Sequence, residues 1–159
     1  MFEQYIKDNI PTPDSDVGRQ LALQVSGGAN WFYWIAGLSI VNSIVNLYQG
    51  SWGFAAGLGI NKLLDALSAA TATDGGINLG QVILLVLGIM IAGFFFIFGV
   101  LANRKQTWAF VLGIIMYTLD GVILVFIDDL LGIIIHLLAI IFLVRGYLAL
   151  RKLLRAESA

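Results

Sequence analysis

Three apolar blocks of about 20 residues, at 80–102, 108–127 and 130–150, limit most what this chain can fold into. At 1.5 Å per residue, a helix of that length matches the roughly 30 Å hydrocarbon core of a bilayer. The breaks between the blocks carry charge and set their direction. Arg104-Lys105 separates the first from the second, Asp128-Asp129 the second from the third, and Arg151, Lys152 and Arg155 follow the last. Cytoplasmic loops are enriched in Lys and Arg, so the basic turn and the basic C-terminal end are expected inside and the acidic turn outside. Two basic ends on one side require 108–127 and 130–150 to form a tight antiparallel hairpin.

Composition agrees with this reading. Hydrophobic residues make up 59% of the 159, charged residues 12%, and mean hydropathy is +0.89, whereas soluble domains spend about a quarter of their residues on charge. The expected fold class is an all-α polytopic membrane helix bundle, with the bilayer as its main partner and the cell membrane, bacterial inner membrane in type, as its location. Net charge of -1 and nine scattered basic residues give no groove for nucleic acid. The absence of cysteine removes thiolate chemistry, and a single histidine leaves no metal-ligand set within one chain. No metal, cofactor or catalytic residue is expected. Haem on His136 would need a second axial ligand such as Met90 or Met116.

The first half of the chain is less uniform. Residues 1–30 form an extramembrane segment, in which 1–10 can make a surface helix and Pro11-Thr12-Pro13-Asp14 a linker. Residues 17–25 are expected to add a short helix ended by Ser26-Gly27-Gly28. A membrane domain then occupies 31–150, and 151–159 is a basic cytoplasmic tail. Its first helix, 31–48, opens on Trp31-Phe32-Tyr33-Trp34, aromatics suited to the headgroup layer. Ser39, Asn42, Ser43 and Asn46 recur at three- and four-residue spacing and so share a face.

The second hydrophobic segment, 52–70, decides the topology. Gly53 and Gly57 have the small-xxx-small spacing of close membrane packing, but Asn61, Lys62 and Asp65 follow. If it spans, there are five spans and the N-terminus is outside. If it is interfacial or re-entrant, there are four and the N-terminus is inside. A faint repeat, Ile35-Ala36-Gly37 against Ile91-Ala92-Gly93 and Trp52-x-Phe54 against Trp108-x-Phe110 at one offset, favours five.

Three groups of side chains are candidates for chemistry. Asp120 lies inside the helix at 108–127, after Tyr117, and reflecting the hairpin about its turn brings His136 to nearly the same depth. Such residues form a proton-responsive couple, form an interhelical hydrogen bond that sets the hairpin register, or share a depth without touching. Asn42, Asn46, Asn61, Lys62 and Asp65 either line a polar cavity or hold neighbouring helices together, and Lys62 with Asp65 can neutralise one another at i,i+3. Arg145 can snorkel to the inner headgroups, where Arg151, Lys152 and Arg155 extend a lipid-facing cluster. The functional expectation is a structural or accessory subunit of a larger or homo-oligomeric membrane assembly. The alternative is a small transporter or channel with a polar or proton-responsive intramembrane site.

Overall fold

The computed structural model describes residues 15–47, 57–71 and 77–157, and among these every regular element is α-helical. The elements are α1 (Asp16–Leu47), α2 (Gly59–Ala70), α3 (Leu79–Asn103), α4 (Thr107–Phe126) and α5 (Leu130–Glu157). α3, α4 and α5 are each long and apolar enough to cross a membrane, matching the three blocks that the sequence marks. The expected N-terminal surface helix and Pro-containing linker, together with Tyr48, Trp52, Gly53 and residues 72–76, lie outside the described residues.

α1 corrects the expected stop at Ser26-Gly27-Gly28, because the helix runs through it without a break. The reason is tertiary. A Cβ on Gly28 would lie 2.6 Å from Gly146 Cα, so the backbones of α1 and α5 touch there. Two glycines in a helix cost roughly 1 kcal/mol each in propensity, and close backbone packing against a second helix offsets that cost. α5 likewise continues to Glu157, so the basic end is helical rather than a separate tail.

α2 corrects the expected helix over 52–70. Gly57 has φ +139 and Leu58 is extended, so the chain is not helical at these two positions and α2 starts at Gly59. Gly57 therefore supplies a backbone break, not a position in a small-xxx-small helix face. The remaining helix has 12 residues, about 18 Å of rise.

The turns follow local rules. Asn78 and Gln81 form a reciprocal capping box at the start of α3, a pattern readable in Asn78-Leu79-Gly80-Gln81. Asp129 caps α5 by accepting from Gly132 N–H at 2.9 Å, and Asp128 takes the left-handed turn conformation at φ 53. α4 and α5 thereby form the expected antiparallel hairpin.

α1 is the central element and runs antiparallel to both α3 and α5. Tyr33 lies tilted against Phe96, while Trp31 stacks on Phe142, each pair with ring centroids 5.0 Å apart. At the core, Phe32 is fully buried among Phe95, Phe98 and Phe110, all within 6.5 Å between centroids. Gly113 makes room for it, since a Cβ there would lie 2.5 Å from the Phe32 ring. The Phe94-Phe95-Phe96-x-Phe98 run divides by face: Phe95 and Phe98 point inward, Phe94 and Phe96 outward. These contacts place Asp16 and Glu157 at the same end of the bundle, with the Arg104-Lys105 turn, where Lys105 pairs with Glu157 at 2.6 Å.

Candidate polar site around the start of α2

A helix start leaves backbone N–H groups without intrahelical partners, and α2 starts inside the bundle, where water cannot serve them. Two side chains from other helices do so instead. Ser39 on α1 accepts from Leu58 N–H at 2.7 Å and donates to Ile35 O at 2.7 Å. Asp120 on α4 accepts from Gly59 N–H through Oδ2 at 2.6 Å and from Ile60 N–H through Oδ1 at 2.9 Å. His136 on α5 backs the carboxylate, with Nε2 3.1 Å from Asp120 Oδ2.

Asp120 is thus an N-cap supplied across more than sixty residues of sequence. The helix itself has no side-chain cap from Leu58, and the remote carboxylate fills that role. Both carboxylate oxygens therefore face the start of α2, where its backbone donors and the positive end of its macrodipole lie. With Asp120 accepting, His136 donates through Nε2–H. Its ring stacks on Tyr117 at 3.9 Å between centroids and 13° between planes, and Tyr117 is buried.

Close approach to this site requires glycine. A Cβ on Gly59 would lie 2.7 Å from the Asp120 carbonyl oxygen, and one on Gly121 would lie 3.1 Å from His136 Cδ2. Gly59 also admits the α2 backbone to hydrogen-bonding distance of the carboxylate.

The second expected cluster is continuous with the first. Asn61, one turn into α2, is fully buried and donates to Ser43 Oγ at 3.3 Å and Gly88 O at 3.2 Å, tying α2 to α1 and α3. Asn42 and Asp65 are buried nearby in the same elements, with Asn42 facing the Gly57 break. Asn46 lies on α1, but its side chain is outside what the structure describes. Lys62 reaches out to form an ion pair with Asp129 in the α4–α5 turn, a contact that local i,i+3 spacing does not reveal. Burial opposes the Asp129 charge, but the Lys62 ammonium and the Gly132 N–H outweigh it and hold the carboxyl below the usual range.

Sequence reasoning pairs Asp120 with His136 and singles out Tyr117, and the structure brings these three together. It does not foresee Ser39, Gly59 or the backbone of α2 as partners. Gly57-Leu58-Gly59 before a polar stretch is the one available signal, and alone it is a weak one. Two buried atoms, His136 Nδ1 and Asn61 Oδ1, have no hydrogen-bond partner among the described residues. At the other end, Arg145 lies over the Phe142 ring and Arg151 over the Tyr147 ring, while Lys152 and Arg155 are exposed. Comparison of the chain with protein-family models, curated proteins and solved structures yields no match.

Proposed function

We propose that this chain is a small multi-pass protein of the cell membrane, with four passes and α2 re-entrant, acting as a structural or accessory subunit of a larger or homo-oligomeric assembly. Four passes, not five, are supported by α1 running antiparallel to α3 and α5. They are also supported by the length of α2, whose roughly 18 Å falls short of a bilayer core. On this reading α1 is the fourth pass, and both chain ends lie with Arg104-Lys105 on the cytoplasmic face. Labelling of cysteines placed at each end tests it: protection of both from the outside is expected, and external labelling of the N-terminus alone refutes it.

The observation that carries the structural role is the engagement of Asp120. Both carboxylate oxygens hold the start of α2, and His136 takes Oδ2 as well. A carboxylate spent on fixing a re-entrant helix has little capacity left for carrying a substrate. Gentle extraction followed by mass determination should give a discrete species heavier than the 17.3 kDa chain.

The transporter or channel reading is favoured by the two unpartnered buried atoms and by the interior helix start, since transporters place half-helix N-termini at their anion sites. Asp120→Asn and His136→Gln, singly and together, separate the two. The structural role predicts coupled losses of stability, with an interaction energy of about 1 kcal/mol. A lone monomer with a proton flux in vesicles that Asp120→Asn abolishes without loss of stability overturns it.

A further inference from the structure

Along the outer seam of α1 and α5 runs an open groove of about 550 Å³, bounded by Trp31, Trp34 and Leu38 on α1 and Ile135 on α5. A smaller hollow of about 180 Å³ lies beside Gln24, Phe142 and Arg145. Gly27 borders both, so the two form one track. A Cβ on Gly27 meets nothing within 4 Å, in contrast to its neighbour Gly28, and Gly27 is exposed to the track. From Gly27 to Leu38 the track follows α1 for about 16 Å.

Its two ends differ chemically. The deep end, at Trp34, Leu38 and Ile135, is apolar, and the shallow part carries the Arg145 guanidinium and the Gln24 and Asn30 amides. Arg145 packs over Phe142, and the carboxylates described at this end are engaged elsewhere, Asp16 by Arg19 and Glu157 by Lys105. Gly146, next to Arg145, packs against Phe110 in the first turn of α4, which puts the Arg145 backbone within about two turns of the basic Arg104-Lys105 turn. Trp31 and Trp34 lie one to two turns deeper, as interfacial aromatics do.

We propose that this track binds one anionic phospholipid of the surrounding leaflet, its phosphate on Arg145 and one acyl chain laid over Gly27 between Trp31 and Trp34. Charge complementarity selects the occupant: a cation at headgroup level above an apolar channel fits an anionic amphiphile. A zwitterionic lipid carries its own ammonium and gains less from Arg145. Within the basic end, the site uses Arg145, which borders the hollow, and not Arg151 and Lys152, which do not.

The test is native mass spectrometry of the full chain, released from bilayers holding equal amounts of phosphatidylglycerol and phosphatidylcholine with matched acyl chains. Wild type should retain phosphatidylglycerol about five-fold over phosphatidylcholine, the factor that corresponds to about 1 kcal/mol for one charge at the surface. Arg145→Gln should erase the preference yet keep some lipid of both kinds. Gly27→Leu should expel both with thermal unfolding unchanged, and Arg151→Gln with Lys152→Gln should alter nothing. Equal retention by wild type, or a preference that survives Arg145→Gln, overturns the proposal. So does lipid that stays bound to a folded Gly27→Leu variant, displacement by glycerol phosphate alone, or a Gly27→Leu variant that loses a self-associated state in place of lipid.

Discussion

The α4–α5 hairpin and the α1–α2 region are built on different rules, although they pack against each other. The hairpin is two apolar helices joined by an acidic turn, with Asp129 capping its second helix from three residues away. α2 has no such local cap, and its first N–H groups are served by Ser39 and Asp120, from helices far off in sequence. An apolar helix satisfies its own backbone and so can be recognised alone. A helix that starts in the interior exists only with the partners that complete it, because an unsatisfied group in hydrocarbon costs several kcal/mol.

The most direct way to break the contrast is Asp120→Ala. It leaves Gly59 N–H, Ile60 N–H and His136 without their acceptor, and a loss of about 3–5 kcal/mol is expected, as for removal of one partner from a buried charged network. Leu119→Ala next to it, on a side chain 64% exposed, should cost less than about 1 kcal/mol. Denaturant unfolding in detergent measures both, and equal effects would show that α2 does not depend on Asp120.

Gly27 and Gly28 sharpen the comparison within one helix. Gly28→Ala drives a methyl into the backbone of α5 and should cost about 1–3 kcal/mol. Gly27→Ala enters open space and should be neutral, or stabilising by up to about 1 kcal/mol through helix propensity. Thermal unfolding of the pair reads the difference, and similar values would place the α1–α5 contact elsewhere.

The smallest expected effect is at the hairpin turn. Lys62 and the Gly132 N–H hold the Asp129 carboxyl below its ordinary value of 3.8. Its ionised form therefore adds stability above that pH, and the contribution is lost as pH falls through the lowered folded value. Asp129→Asn should cost about 1 kcal/mol at neutral pH, with the gap to wild type closing below pH 3.8. Unfolding measured from neutral to acid pH checks this, and a gap that widens in acid refutes the assignment.

Much of this architecture is legible without coordinates. The three helices apolar enough to span, the hairpin and the shared depth of Asp120 and His136 all follow from hydropathy, charge and length. The boundaries of the other elements do not. Ser26-Gly27-Gly28 reads locally as a stop, but contact with Gly146 carries the helix through. Residues 52–70 read as one apolar helix, but the backbone at Gly57 and Leu58 breaks it.

What sequence alone determined here is what each segment settles with its own atoms: apolar length, flanking charge and local caps. Tertiary structure decided where α2 begins, what Asp120 is for, and which glycine of an adjacent pair is crowded. Each of these depends on a group supplied by another helix, from Ser39 to Gly59 to His136. Spacing along the chain carries no record of which remote donor meets which acceptor, because only packing in three dimensions brings them within hydrogen-bonding distance.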